Sequence, residues 1–178
     1  MIARGTSVRH TLIAVGICLA LVACGSGSSS GSSKVSATQL NNDSTLVDTA
    51  LATYTNQDAS TLTSSAQLSA FVASTKADLA QVRTAFNTWS ADLDHVDQSQ
   101  VTATSKQAYP LMLAYRDALN DWIGEQEQEN TVAAACLSQT TALVIEACYA
   151  GAIKKYSSTA IDTRLGDARQ KLKAALGG

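Results

Sequence analysis

Apolar residues recur along most of this chain at the spacing of helices that each bury one narrow seam. The clearest run is Leu68, Val72, Thr75, Leu79, Val82, Phe86, Trp89, Leu93 and Val96, whose steps alternate four and three. Positions between them are mostly Ala, Ser, Thr, Lys and Asp, so the spacing predicts an amphipathic helix. A second seam follows in the same rhythm: Val101, Ser105, Ala108, Met112, Tyr115, Leu119 and Trp122. Asp97 with Gln100 three residues on suits a capping box for that helix, and Pro110 should kink it or start a new segment after Tyr109. Gly124 and the polar run after it weaken the pattern. Upstream, Leu40, Val47, Leu51 and Tyr54 form a shorter seam ended by a turn at Gln57-Asp58-Ala59-Ser60. Downstream, Ile145, Tyr149, Ile153, Tyr156 and Ala160 lead on to Leu165, Ala168, Leu172 and Leu176 as one last periodic stretch from about 140 to 176.

Four amphipathic segments joined by short connections predict an all-α fold, an antiparallel helical bundle of four helices. A three-helix bundle with a loose first segment and a longer coiled-coil hairpin are the alternatives. Composition agrees: among 178 residues there are 30 Ala and a single Pro, which favours helix over a fold built from many turns.

The first residues follow another logic. Arg4, Arg9 and His10 precede an apolar run from Thr11 to Ala23, too short for the roughly 20 residues of a membrane span but right for an export signal. The run closes on Leu21-Val22-Ala23-Cys24, followed by Gly25 and Ser26. This resembles the lipobox of bacterial lipoproteins. The resemblance implies cleavage between Ala23 and Cys24 and a diacylglyceryl group on the Cys24 thiol, whose freed amine can carry a further acyl chain. It also implies a palmitate-type lipid anchor in the cell membrane, on its extracytoplasmic face. Plain secretion with Cys24 as an ordinary thiol is the alternative.

Residues 25–37, rich in Gly and Ser, read as a flexible linker with a maximum reach of about 45 Å. The expected organisation is a signal peptide at 1–23, a lipidated Cys24 with its linker to 37, and a bundle domain at 38–178. Export also bears on Cys136 and Cys148, because an oxidising compartment favours a disulfide. Twelve residues of continuous helix would separate the two by about 18 Å, so a bridge requires the chain to turn at 137–141. Two free thiols or a redox pair are the other possibilities, although redox pairs usually stand at CxxC spacing.

Charge and chemistry narrow the function by exclusion. The formal charge of −2 gives no broad positive field, so no nucleic-acid partner is expected. His95 sits among Asp92, Asp94 and Asp97, but one helix end cannot aim all three acids at one cation, and no metal or cofactor is expected. Glu125, Glu127 and Glu129 read as a solvated corner. Lys154, Lys155, Arg164, Arg169, Lys171 and Lys173 form a basic stripe, read as paired with acids on neighbouring helices or as meeting anionic headgroups or a partner. Trp89, Trp122, Tyr115 and Tyr149 fall on seams; they read first as core and second as candidates to line a ligand groove. No nucleophile–histidine pair, phosphate loop or dinucleotide motif is present in the mature chain. The leading expectation is a non-enzymatic interaction or binding domain on a membrane anchor, with an envelope protein as its partner. A carrier of a small hydrophobic ligand or lipid comes second, and an unfamiliar enzyme using carboxylates and Tyr third.

Overall fold

A computed structural model describes residues 34–55, 64–99, 103–156 and 158–176. The signal segment, Cys24, the Gly/Ser run to residue 33 and the turn at 57–60 lie outside the described residues. Five helices follow in order: α1 Ala37–Thr55, α2 Ser65–Asp94, α3 Ala103–Cys136, α4 Ala142–Tyr156 and α5 Thr159–Ala175. Among the described residues the only extended pairing is an isolated bridge between Val35 and Val96. The fold is the all-α antiparallel bundle that the seams predict, with five helices in place of four. None of these helices is long and apolar enough to cross a membrane.

The fifth helix arises from a break in the last periodic stretch. Ser158 accepts a hydrogen bond on Oγ from the Ile161 N–H, and its own N–H donates to Glu125 Oε1. That side-chain cap starts a new helix although the apolar periodicity runs on past it. α4 and α5 therefore continue in one direction along α3, antiparallel to it. Ser158 lies at Glu125, and Arg164 pairs with Asp121 one turn earlier in α3. Cys136 and Cys148 are joined by a disulfide with their Cα atoms 5.6 Å apart, as the required turn at 137–141 allows. Thr141 Oγ1 accepts from the Val144 N–H to begin α4.

Local chemistry explains the other boundaries. Ser64 and Gln67 form a reciprocal capping box at the start of α2. α1 holds many Thr, yet Thr45, Thr49 and Thr53 donate to the carbonyls of Asn41, Thr45 and Thr49, so their hydroxyls are satisfied within the helix. Two expectations for α3 are corrected. Asp97 does not cap it: its carboxylate accepts from the N–H and O–H of Ser99, which is not helical, and pairs with Lys34 at 3.2 Å, and α3 is described from Ala103. Pro110 starts no new helix and lies inside α3. It is on the exposed side, where the Lys106 carbonyl that loses its donor can be met by water. Residues 34–37, read as linker, belong to the body: Val35 packs on the core, and Ser36 Oγ accepts from the Gln39 N–H to open α1.

α1 packs on α2, α2 on α3, and α3 on both α5 and α4. Tyr109 Oη donates to the Leu93 carbonyl, Arg116 pairs with Asp94, and Arg83 reaches Glu127, so α2 and α3 run antiparallel along most of their length. One core joins Leu40, Val47 and Tyr54 of α1 to Leu79 through Leu93 of α2, Ala108 through Ile123 of α3, and Leu165 and Leu172 of α5. Val72, Ala133, Cys136, Ile145 and Ala152 are also buried, but they stand outside that cluster, toward the end held by the disulfide.

Candidate functional site

The aromatic residues singled out from the sequence divide between the two ends. Trp89 meets Tyr115 edge-on at 6.0 Å, and Trp122 meets Tyr54 at 5.8 Å, all inside the four-helix core. Tyr54 Oη donates to Gln126 Oε1 at 2.8 Å. The indole N–H groups of Trp89 and Trp122 are buried without an acceptor. Tyr149 stands apart from the other three, half-buried on α4. A groove of about 600 Å³ lies elsewhere, between α3 and α5. Leu111, Ala114, Ala160 and Ala168 form its apolar lining, with Arg164 and Lys171 beside them; none of the four aromatic candidates borders it.

Buried polar groups form the part of the interior that sequence reasoning missed. Asp43, Ser44 and Asp48 of α1 are all buried. The Gln39 amide donates to both carboxylate oxygens of Asp43, at 3.1 and 2.9 Å. Asp43 faces Asp92 across the α1–α2 contact. The Asp92 carboxyl is pushed above the ordinary range by burial, then by the hydrogen bond and charge of Asp43, against the lowering effects of His95 and Gln39. Deeper in, Asp48 and Arg169 act electrostatically on the Tyr115 hydroxyl, bringing α1, α3 and α5 together. Burial first, and Asp48 second, raise the pKa of Tyr115, while Arg169 lowers it. A signal for Asp43 was available: it occupies the step between Leu40 and Val47, a polar residue where the seam calls for an apolar one.

The acids around His95 diverge. Asp94 turns to Arg116, Asp97 to Ser99 and Lys34, and the His95 ring nitrogen Nδ1 lies 2.7 Å from the Ala91 carbonyl. No cluster of three or more His, Cys, Asp or Glu suited to a metal occurs among the described residues. The run at 125–129 is not a solvated corner, because α3 continues through it to Cys136. Glu127 grips Arg83 through both oxygens at 2.8 Å, Glu125 accepts from Ser158, and Glu129 is buried. Glu127 thus ties α2 to α3, and Glu125 ties the start of α5 to it.

The basic stripe splits. Arg164 pairs with Asp121, and Arg169 turns toward Tyr115. Lys154, Lys171 and Lys173 are exposed and make no ion pair among the described residues, and Lys155 lies 5.0 Å above the Tyr156 ring. At the start of α4, Leu143 at 76% exposure and Val144 at 45% are unusually bare for large apolar side chains, as is Leu46 of α1 at 58%. The arrangement offers a rigid body with a polar-pinned core and one basic, partly apolar flank. Comparison of the chain with family models, with curated proteins and with solved structures finds no match.

Proposed function

We propose that this chain is a lipid-anchored protein of the cell envelope, held at the extracytoplasmic face of the cell membrane through Cys24, whose helical body binds a partner and performs no chemistry of its own. The observation that carries the reading is the disulfide between Cys136 and Cys148. Such bonds persist in exported proteins and are rare where thiols are kept reduced, which agrees with a signal ending at Leu21-Val22-Ala23-Cys24. With two or three acyl chains the anchor is effectively permanent.

Mass spectrometry and detergent-phase partitioning test the anchor. The mature protein should carry acyl mass on Cys24 and enter the detergent phase, and Cys24→Ala should leave the chain uncleaved or mislocalised. A Cys24→Ala protein that is cleaved at the same bond and still fractionates with membranes would defeat the reading.

A second reading, a carrier of a small hydrophobic ligand, is favoured by the groove between α3 and α5. A hydrophobic fluorescent probe displaced by envelope lipids, and excluded by Ala114→Trp, is the expected result for a carrier. Unchanged probe binding in Ala114→Trp would take the ligand out of the groove.

A further inference from the structure

We propose that the outer flank formed by α4 and α5 lies on an anionic lipid surface, so that the anchored body rests along the membrane. The inference builds on the anchored reading and names the surface that the body meets.

Charge is the first argument. Residues 142–178 hold six basic and three acidic side chains, net +3, whereas residues 34–141 hold five basic and twelve acidic, net −7. The body is therefore strongly polarised, and its positive side is the α4–α5 flank. Lys154, Lys171 and Lys173, which make no ion pair among the described residues, are on this flank, and α4 ends in the adjacent exposed Lys154 and Lys155. Basic residues near a bilayer are drawn to anionic headgroups.

The second argument is the bare face of α4. Ile145 and Ala152 are buried, while Leu143, Val144, Ala147 and Ala150 face outward over the first turns before the lysines. An apolar face ending in lysines is the pattern of a helix lying in a lipid interface. Two large side chains and two alanines fall well short of the roughly 800 Å² per partner of a stable dimer. The same patch suffices for a body already confined to a membrane by its anchor.

Geometry permits both contacts at once. On α3, the α5-facing Leu111, Ala114, Asp121 and Glu125 and the α4-bearing Cys136 fall within one sector of about 80° at 100° per residue. α4 and α5 are thus stacked end to end on one side of α3. The described chain begins at Lys34, beside Val96, at the end of the bundle toward which α5 runs. Nine residues separate Cys24 from Lys34, and the ten steps between them can span up to about 35 Å, against a helix diameter of roughly 10–12 Å. A flank-down body is well within that reach.

The test uses the mature acylated protein in vesicles carrying brominated lipids, either neutral phosphatidylcholine or phosphatidylcholine mixed with phosphatidylglycerol. The probe is Leu143→Trp, against Trp89 and Trp122 as a buried background; Lys76→Trp, exposed on α2, is the control. Quenching of Leu143→Trp should be strong in the anionic vesicles and weak in the neutral ones. Adding Lys154→Gln and Lys155→Gln should lower the docked-to-undocked ratio by about fivefold per lysine. Equal quenching of Leu143→Trp and Lys76→Trp overturns the proposal, as does a signal that follows protein density and not lipid charge, which would mean that a second copy covers the face. The mass of the same sample reports acylation separately. If Cys24 proves unmodified, co-sedimentation of that chain with phosphatidylglycerol vesicles decides the matter: binding upholds the flank while the anchor fails, and no binding removes both.

Discussion

The two ends of the bundle are held together by different means. At one end, α1, the second half of α2, the first half of α3, and α5 enclose aromatic and aliphatic side chains from every helix. At the other, α3 and α4 meet over smaller residues, Ala133, Cys136, Ile145 and Ala152, and a disulfide closes the hairpin. The difference shows how a chain with 5% aromatic residues distributes its stability. Large side chains are concentrated where four helices can surround them, and a covalent link serves where burial is thin. Polar groups divide in the same way: Asp43, Asp48 and Tyr115 are spent on register within the thick end, and Lys154, without an ion pair among the described residues, lies on the thin one.

The sharpest break in this comparison should come from the thick end. Phe86→Ala and Leu119→Ala are each expected to lower unfolding stability by roughly 2–5 kcal/mol, the range for large-to-small changes in a close-packed core. Urea melts followed by circular dichroism measure this. A loss at Phe86 no greater than that at the exposed Lys76 would mean that the core has been misplaced.

Reducing the disulfide is the next largest effect, about 3 kcal/mol at most for so short a loop. It should also be local. Hydrogen exchange should quicken in α4 and the last turns of α3 while the amides around Leu119 and Trp122 stay protected. Equal loosening of both ends would show that the hairpin and the core unfold as one unit.

Asp43→Asn probes the join between α1 and α2 and should have a smaller effect that depends on pH. Because the Asp92 carboxyl is raised in the folded state, its contribution is fully present below the unfolded value of 3.8 and is lost as pH rises through the raised value. Removing the facing charge should lower the Asp92 pKa. It should make α1 docking less sensitive between acid and neutral pH and slightly stabilise the neutral protein. Carboxyl chemical shifts of Asp92 followed through a titration would show this directly, and an unchanged midpoint in Asp43→Asn would sever the pair. Smallest of all, Lys76→Ala on the exposed face of α2 should stay within about 0.5 kcal/mol.

How far the fold could be read from the chain follows the same division. Every seam position from Val72 to Leu93, and every one from Ser105 to Trp122, is buried, because a strict four-three rhythm leaves a helix only one face to offer. The start of α5 is not legible in the sequence because Ile153, Tyr156, Ala160 and Leu165 keep apolar character on either side of it, while a single Ser158 cap decides the boundary. α3 passes Pro110 and Gly124 because packing against α2, α4 and α5 outweighs a local propensity penalty. Asp43 was legible as an anomaly and not as a contact: its partner Asp92 lies 49 positions later, and only the folded chain brings them together. The disulfide was expected from the reading of an export signal together with turn geometry, neither of which needs knowledge of packing.

The single pairing of Val35 with Val96 has a mechanical consequence. The Val35 N–H donates to the His95 carbonyl at 3.0 Å, the Asp97 N–H donates to the Val35 carbonyl at 3.3 Å, and Lys34 holds Asp97 beside them. Any pull on the chain preceding Lys34 meets this clasp before it meets a helix. The load passes through it to the turn after α2, which lies between the two longest helices, and is shared by both. A pull along the axis of α1 that opens the clasp falls next on the first turn of that helix. α1 must then slide against α2 over its whole length, a shearing geometry that resists more than peeling one turn at a time. Because Val35 and Val96 also pack against the hydrophobic core, opening the clasp lifts the edge of that core with it.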